Sequence, residues 1–455
     1  MNFTAWSVFV DFGLMGGLLV LGQILRAKVK LFQDLLLPAA LIAGFLAWAL
    51  GPNGLGWLPF SGSVGTYSSV LIILVFASMP IGDKPVDWRK SGRGIGEMFT
   101  NYTGIALAQY GLGMVLSLYI LGAIWKLHPG FGLMLATGFY GGHGTAAAVG
   151  AAFEGLGWDE ALGLGMTSAT VGIIGGIVGG VALINWATRK RITSFIESPS
   201  ELPRELRTGL VVPENQKSLG KATVASISID PLTFHLALIL IPSLIGYYLS
   251  KWVSALNKNL QIPGFAWALI VAYVLQYLLL KTGTNKYVDR ATITRISGTA
   301  TDLLIVAGME SIKLSVIVKY AVPLAILFAF GFILNWVWLM YLGSHMSREY
   351  WFERNMIVWG SACGVLTTGI MLLRVVDPEF KSRAMEDTAA ALVLNRPIVI
   401  ALTALPPLLV ARGLAGPFTW VTLGALLLVM VAARIFGWWT PRVPVANPTR
   451  VSDRA

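Results

Sequence analysis

Hydrophobic residues form long unbroken stretches along the chain, for example at 70–79, 266–280 and 402–410. About twenty apolar residues are enough for a helix to cross a bilayer. A transmembrane β-strand would alternate apolar and polar positions, so the pattern excludes a β-barrel. It predicts an all-α multi-pass membrane protein with eleven spans, near 8–25, 35–50, 66–82, 98–125, 160–186, 231–250, 263–281, 296–312, 315–343, 384–411 and 418–438.

Two further apolar stretches, 130–153 and 355–375, are rich in glycine, threonine and serine. Glycine weakens a helix and favours a break, so we predict a re-entrant hairpin in each stretch. A polar linker at 188–230 separates two halves that each have five spans, with a hairpin before the fifth. An odd number of spans inverts the second half, an arrangement typical of secondary transporters. The predicted units are an N-terminal repeat at 1–187, the cytoplasmic linker, a C-terminal repeat at 231–412, and an extra span with a cytoplasmic tail at 413–455.

The positive charges indicate the orientation. The chain has 34 Lys and Arg against 23 Asp and Glu, a net charge of +11. With the N-terminus outside, 26 of the cations lie inside, six lie outside, and Arg374 and Arg396 lie at membrane depth. Cytoplasmic loops carry such an excess. We therefore predict a cell (inner) membrane protein with its C-terminus in the cytoplasm and no nucleic-acid partner.

The sequence lacks the residues that disulfide bonds, cysteine clusters and several classes of enzyme require. Cys363 is the only cysteine, which excludes an intrachain disulfide and a cysteine cluster. The four histidines form no H-E-x-x-H motif, no G-x-S-x-G motif occurs, and Gly220-Lys221-Ala222 lacks the hydroxyl residue of a phosphate loop. No enzyme activity and no cofactor are predicted.

The first hairpin carries Gly141, Gly142, His143, Gly144 and Thr145, followed by alanines. The glycines interrupt one helix, and we predict that Thr145 caps the next. Free N–H groups at a helix N-terminus favour an anion, so these five residues are predicted to bind a substrate carboxylate. The alternative is a glycine-rich kink that only allows close helix packing.

The second hairpin offers hydroxyl groups and a nearby cation. We predict that Thr367 and Thr368 face the substrate and that Arg374 and Arg396 attract anionic cargo, although Arg374 also suits snorkelling from the hairpin end.

Asp302 lies inside a predicted span, where a carboxylate is costly without a partner. We predict that Asp302, Thr301 and Ser361 bind Na⁺. The alternative role for Asp302 is an ion pair with Arg374 or Arg396.

The run from Gly141 to Thr145, the glycine-rich fifth span and Cys363-Gly364 resemble the sodium/glutamate symporter family. The resemblance covers about residues 5–412 in span order and departs at Ser361-Ala362 and Val365-Leu366, where more glycine is usual. It implies L-glutamate or a related acidic substrate, Na⁺ as the coupling ion, a homodimer, and a transport domain that moves against a scaffold in the lipid bilayer.

Three other functions stay open on the residues alone. One is Na⁺- or H⁺-coupled transport of another organic anion, such as a dicarboxylate. A cation/proton antiporter is disfavoured because no span contains adjacent acids. The third alternative is a channel, which a saturable substrate flux that shows counterflow would exclude.

Overall fold

A computed structural model describes residues 4–35, 37–83, 92–196, 205, 208–216, 218–256 and 262–440. The predicted tail beyond residue 440 and parts of the predicted linker, at 197–204, 206–207 and 217, lie outside the described residues. Regular structure in the described ranges is helical. The main helices are α1 (Ala5–Lys28), α2 (Ala39–Leu50), α3 (Val64–Ser78), α4 (Arg93–Val115), α5 (Leu133–Gly138), α6 (Gly142–Glu154), α7 (Ala161–Arg189), α8 (Pro231–Leu256), α9 (Gly264–Lys281), α10 (Arg290–Glu310), α11 (Ala321–Val337), α12 (Trp351–Cys363), α13 (Leu366–Val376), α14 (Ala384–Ala411) and α15 (Ala415–Ile435).

Eight helices of the described ranges are long and apolar enough to cross a membrane, which confirms a multi-pass membrane protein. They are α1, α7, α8, α9, α14, α15, α4 with its continuation to Ile124, and α11 with its continuation to His345.

Three predicted spans differ from this pattern. With 12 and 15 residues, α2 and α3 are shorter than predicted. At 1.5 Å per residue they extend about 18 and 22 Å, less than a hydrocarbon core of about 30 Å. The helix α10 has 21 residues, but Arg290, Arg295, Asp302 and Glu310 make it less apolar than the others.

The two glycine- and threonine-rich stretches are both broken helices. In the first hairpin α5 ends at Gly138 and α6 begins at Gly142, and in the second α12 ends at Cys363 and α13 begins at Leu366. The prediction that Thr145 caps α6 is wrong. Gly141 occupies the cap position and no side chain caps the helix, because the helix starts four residues earlier than the alanine run suggested.

The first three helices of each half pack together, and we call this group the first bundle (α1, α2, α3, α8, α9, α10). Helix α2 packs on α10, α9 packs on α3, and α3 and α10 pack on each other. Their contact is a core of fully buried side chains that includes Leu41, Ile72 and Leu304. Asp289 caps α10 by accepting a hydrogen bond from the Thr292 N–H at 2.9 Å.

The remaining helices form the second bundle (α4, α5, α6, α7, α11, α12, α13, α14, α15). Helix α4 packs against α14 and α15, and α7 contacts both hairpins. Tyr102 of α4, Met356 of α12 and Leu372 of α13 belong to one buried apolar cluster.

The two bundles meet through small side chains. Helix α6 packs on α3 and α10, and α7 also packs on α10. Ala146, Ala147 and Ala148 of α6 are buried within the first bundle's apolar cluster. A methyl group on Gly308 of α10 would lie 2.7 Å from the Met166 Cε. The helices are therefore close, and the face that α6 contributes has little relief.

Candidate functional site

The breaks of the two hairpins touch each other. Gly142 has φ +62°, a left-handed conformation that glycine adopts without steric cost. A Cβ atom on Gly142 would lie 2.6 Å from Val365 Cγ1 and 3.1 Å from the Gly364 carbonyl oxygen. Gly142 therefore satisfies both the turn and the close approach of the second hairpin.

Amide side chains hold the tip of the second hairpin. Gln109 Nε2 of α4 donates hydrogen bonds to the Ala362 carbonyl at 2.7 Å and to Asn335 Oδ1 at 2.8 Å. Asn335 Nδ2 of α11 in turn lies 3.1 Å from Cys363 Sγ. The last carbonyls of a helix lack partners within it, so these contacts stabilise the end of α12.

One face of α7 carries glycines where the second hairpin packs. A Cβ on Gly172 would lie 2.4 Å from the Cys363 carbonyl oxygen, and one on Gly176 would lie 2.7 Å from Cys363 Cβ. Trp359 Nε1 donates to the Gly176 carbonyl at 2.8 Å. The repeated G-x-x-x-G spacing of α7 thus permits close approach, and the partner is α12.

A cavity of about 300 Å³ opens between the bundles. The second bundle provides most of its polar lining, and the first bundle provides one apolar edge and a tyrosine. The lining residues are Phe76, Met79, Tyr102, Tyr140, Thr145, Tyr273, Ser361, Leu366, Leu392, Asn395, Arg396, Val399, Ile400 and Thr403.

Hydrogen bonds orient the polar lining. Asn395 Nδ2 donates to the Tyr140 hydroxyl at 2.8 Å, and Asn395 Oδ1 accepts from the Thr103 hydroxyl at 3.1 Å. The hydroxyls of Tyr102 and Ser361 lie 3.1 Å apart, and Ser361 also donates to the Ile357 carbonyl at 2.7 Å. These contacts fix the side chains before any ligand arrives.

Arg396 is the cation of the cavity lining, and it forms an ion pair with Asp83. The other Asp83 oxygen lies 3.2 Å from Arg290 Nε. Arg290 also donates to the Ser78 and Ile81 carbonyls at 2.8 and 2.7 Å, next to the end of α3. One carboxylate of the first bundle is thus shared by two guanidinium groups.

The first hairpin places its predicted residues differently. Thr145 lines the cavity, and Gly142 forms the tip contact. A Cβ on Gly141 would lie 2.4 Å from Thr145 Cβ, whereas one on Gly144 would have only Ile72 Cδ1 at 3.9 Å. His143 is buried with its Nε2 atom 3.1 Å from the Thr170 hydroxyl, and it is not among the lining residues.

The second hairpin brings one predicted residue to the cavity. Ser361 lines it, whereas the exposed Thr367 and the buried Thr368 do not. Arg374 is exposed and lies 5.6 Å from the centre of the Phe380 ring. That position fits the snorkelling alternative.

The predicted Na⁺ ligands do not share the cavity. Asp302 is exposed on α10, and the Thr301 hydroxyl donates to its own helix at the Ser297 carbonyl, 2.9 Å away. Neither lines the cavity with Ser361. Asp302 forms no ion pair with Arg374 or Arg396 among the pairs between described residues. Among the described residues, no group of three His, Cys, Asp or Glu side chains is arranged so that it could hold a metal ion.

A larger cavity of about 580 Å³ lies at the start of α4 and α12. Its charges pair with each other, because Arg354 lies 2.8 Å from Asp387 Oδ2 and 3.8 Å from Glu97 Oε2. This cavity lies away from the contact between the two hairpin breaks, whereas the cavity beside Arg396 is lined by Thr145 of the first hairpin and Ser361 of the second.

Sequence reasoning missed Tyr102, Tyr140, Asn395 and Thr403 of the lining. Asn395 carried a signal, since polar side chains in the middle of a span are expensive and often functional. The tyrosines carried none, because tyrosine is also common at membrane interfaces.

The model of the family described as sodium/glutamate symporter matches residues 7–363. The chain belongs to this family. A comparison with curated proteins gives no match. As a sodium/glutamate symporter family member, the chain is grouped with transporters rather than with enzymes, and the family's coupling ion is Na⁺. The match ends at Cys363, so Thr367, Thr368, Arg374 and Arg396 lie beyond it.

Proposed function

We propose that the protein is a secondary active transporter that moves L-glutamate or a related acidic substrate into the cell together with Na⁺. Family membership supports the substrate class and the ion. One observation carries the site: the two helix breaks meet next to a cavity that is lined by Thr145, Ser361 and Arg396.

The cavity suits a small substrate with two carboxylate groups. Its volume of about 300 Å³ is at the lower end of the range for ligand pockets. The N-terminus of α6, from Gly142 to Thr145, provides N–H groups for one carboxylate. The Arg396 guanidinium provides paired donors for a second carboxylate. Thr367 and Thr368 belong to this proposal as residues that approach the substrate when the hairpin moves.

The charge of the cargo calls for coupling to a cation, and family membership supports Na⁺ as that cation. Moving one net negative charge inward against 100 mV costs about 2.3 kcal/mol. One Na⁺ makes the step electroneutral, and two make the voltage favourable. The Ser361 hydroxyl and the carbonyls at the end of α12 are the ligands that we favour, and Asp302 with Thr301 is the second proposal.

We propose two inverted repeats, 1–187 and 231–412, with 413–455 as an added span and tail. The matching order of elements supports this, because α4 continues as a π-helix at Leu116–Leu121 and α11 continues as one at Trp338–Leu342. The second bundle would carry the substrate and slide along the low-relief face of the first. Alternating access then needs movement of one body, with the N-terminus outside, the C-terminus in the cytoplasm of the inner membrane, and two copies forming a homodimer.

Uptake of labelled L-glutamate into proteoliposomes tests the function. We expect accumulation with an inward Na⁺ gradient and none with matched K⁺ or with a proton gradient alone. Accumulation driven by protons alone would contradict Na⁺ coupling. Uptake of a labelled dicarboxylate, with no uptake of L-glutamate, would instead support the organic-anion alternative.

A further inference from the structure

We propose that Asp83 is an internal competitor of the substrate. In the empty carrier it occupies the position on Arg396 that a substrate carboxylate takes on binding. This inference rests on the proposed function, and it adds a specificity-determining residue that the sequence did not suggest.

The first argument is the location of the pair. Asp83 follows α3 in the first bundle, and Arg396 belongs to α14 in the second. Their ion pair therefore joins the two bodies that must move relative to each other. Both side chains are 30% exposed, and Arg396 also lines the cavity, so a ligand in the cavity can reach the guanidinium group.

The second argument is chemical identity. The Asp83 side chain ends in the same carboxylate that distinguishes an acidic amino acid from its amide. Arg396 lines the cavity, and its guanidinium has five N–H donors in a planar fork. A second carboxylate can engage donors of the fork that Asp83 does not use before Asp83 leaves, so the arginine keeps an anionic partner throughout, and an unpaired cation within a membrane is costly.

The third argument concerns what happens to Asp83 after exchange. Arg290 Nε lies 3.2 Å from its other oxygen, and Arg290 is anchored by the Ser78 and Ile81 carbonyls. Asp83 therefore keeps a cation when Arg396 turns to the substrate. The exchange leaves neither a carboxylate nor a guanidinium unpaired, which is the condition for an ion pair to open at low cost.

Two properties follow. A carboxylate can replace Asp83, whereas the neutral amide of glutamine cannot, so the pair favours acidic cargo. Replacing Asp83 on Arg396 also breaks a contact between the two bundles. Binding of an acidic ligand therefore weakens the interface along which the second bundle slides.

The test measures equilibrium binding of L-glutamate and L-glutamine, in saturating Na⁺, to the full-length protein in nanodiscs. We expect Asp83→Asn to tighten the Kd for L-glutamate about tenfold, because the competing carboxylate is gone, and to leave L-glutamine within twofold. Glu160→Gln is the control: it removes another interhelical ion pair, with Lys319 at 3.1 Å, outside the cavity lining. We expect its Kd values to match the wild type.

The outcomes separate the two proposals. An unchanged L-glutamate Kd in Asp83→Asn, with binding by the wild type, overturns the role of Asp83 alone. Absence of binding of any acidic ligand by the wild type overturns the proposed function and this inference with it. If Asp83→Asn does not fold, the double variant Asp83→Asn with Arg290→Gln removes the carboxylate and its second cation together. The double variant has the same expected tightening, and an unchanged Kd again overturns the inference.

Discussion

At the scale of single residues, Gly142 is where an added methyl group meets both backbone strain and a neighbouring chain segment. An L-residue at φ +62° costs about 1–2 kcal/mol, and the new Cβ would lie 2.6 Å from Val365 Cγ1. We expect Gly142→Ala to reduce Na⁺-driven uptake at least tenfold and to lower the Tm. Gly144→Ala is the matched control, since its Cβ would meet only Ile72 Cδ1 at 3.9 Å. Equal uptake by both variants would contradict the tip contact.

The Na⁺ ligands are also a question for single residues. Ser361 lines the cavity, and Asp302 does not. We expect Ser361→Ala to raise the Na⁺ concentration for half-maximal uptake about threefold to tenfold and Asp302→Asn to leave it within twofold. A titration of uptake with Na⁺ measures both. The reverse order would favour Asp302 and Thr301 as the ligands.

Residue patterns predicted where the helices break better than they predicted which residues pair. The glycine run indicated a broken helix, and the charge count indicated a deep Arg396. The partner of that arginine is Asp83, 313 positions away, and nothing in the local pattern relates them. The overlapping glycines of α7 predicted close packing, whereas their contact with Cys363 depends on how distant segments assemble.

At the scale of elements, the glycine face of α7 determines how closely the second hairpin packs. We expect Gly176→Ala to lower the Tm by several degrees, because its Cβ would lie 2.7 Å from Cys363 Cβ and overpacking typically costs about 1–3 kcal/mol. Gly163→Ala on the same helix is the control, since nothing lies within 4 Å of its Cβ position and alanine favours a helix. A Tm for Gly176→Ala at or above that of the control would show that the contact between α7 and the second hairpin has room for a methyl group.

Hydropathy predicted the long elements well because a lipid-facing helix must be apolar along its length. It overestimated α2 and α3, since a window of apolar residues does not distinguish a full span from a buried short helix. It also could not locate the start of α6, where Gly141 rather than Thr145 occupies the cap position.

At the scale of the whole molecule, the orientation is a direct prediction of the charge distribution. Cysteines introduced at Lys126 and Lys286, in addition to the buried native Cys363, are predicted to lie on opposite sides of the membrane. In right-side-out vesicles, we expect an impermeant maleimide to label Lys126→Cys at once and Lys286→Cys only after permeabilisation. Labelling in the opposite order would reverse the orientation.

The order of elements was visible in the sequence, but their assembly was not. Apolar patterns indicate that Leu41, Ile72 and Leu304 are buried, yet they do not say that these side chains from both halves share one cluster. The complementary shapes of the side chains determine which of several similar apolar faces pack together. Those shapes exist only once the helices have assembled.

The buried position of Cys363 makes its rate of alkylation a measure of how often the second hairpin moves away from α7. It is the only thiol of the chain, and it is fully buried between the glycine face of α7 and the Asn335 amide. An alkylating reagent reaches its sulfur only when the second hairpin separates from α7. The rate of alkylation therefore reports how often the contact between α7 and the second hairpin opens in the protein without substitutions. A change in that rate with Na⁺ or glutamate shows which ligand keeps the contact closed.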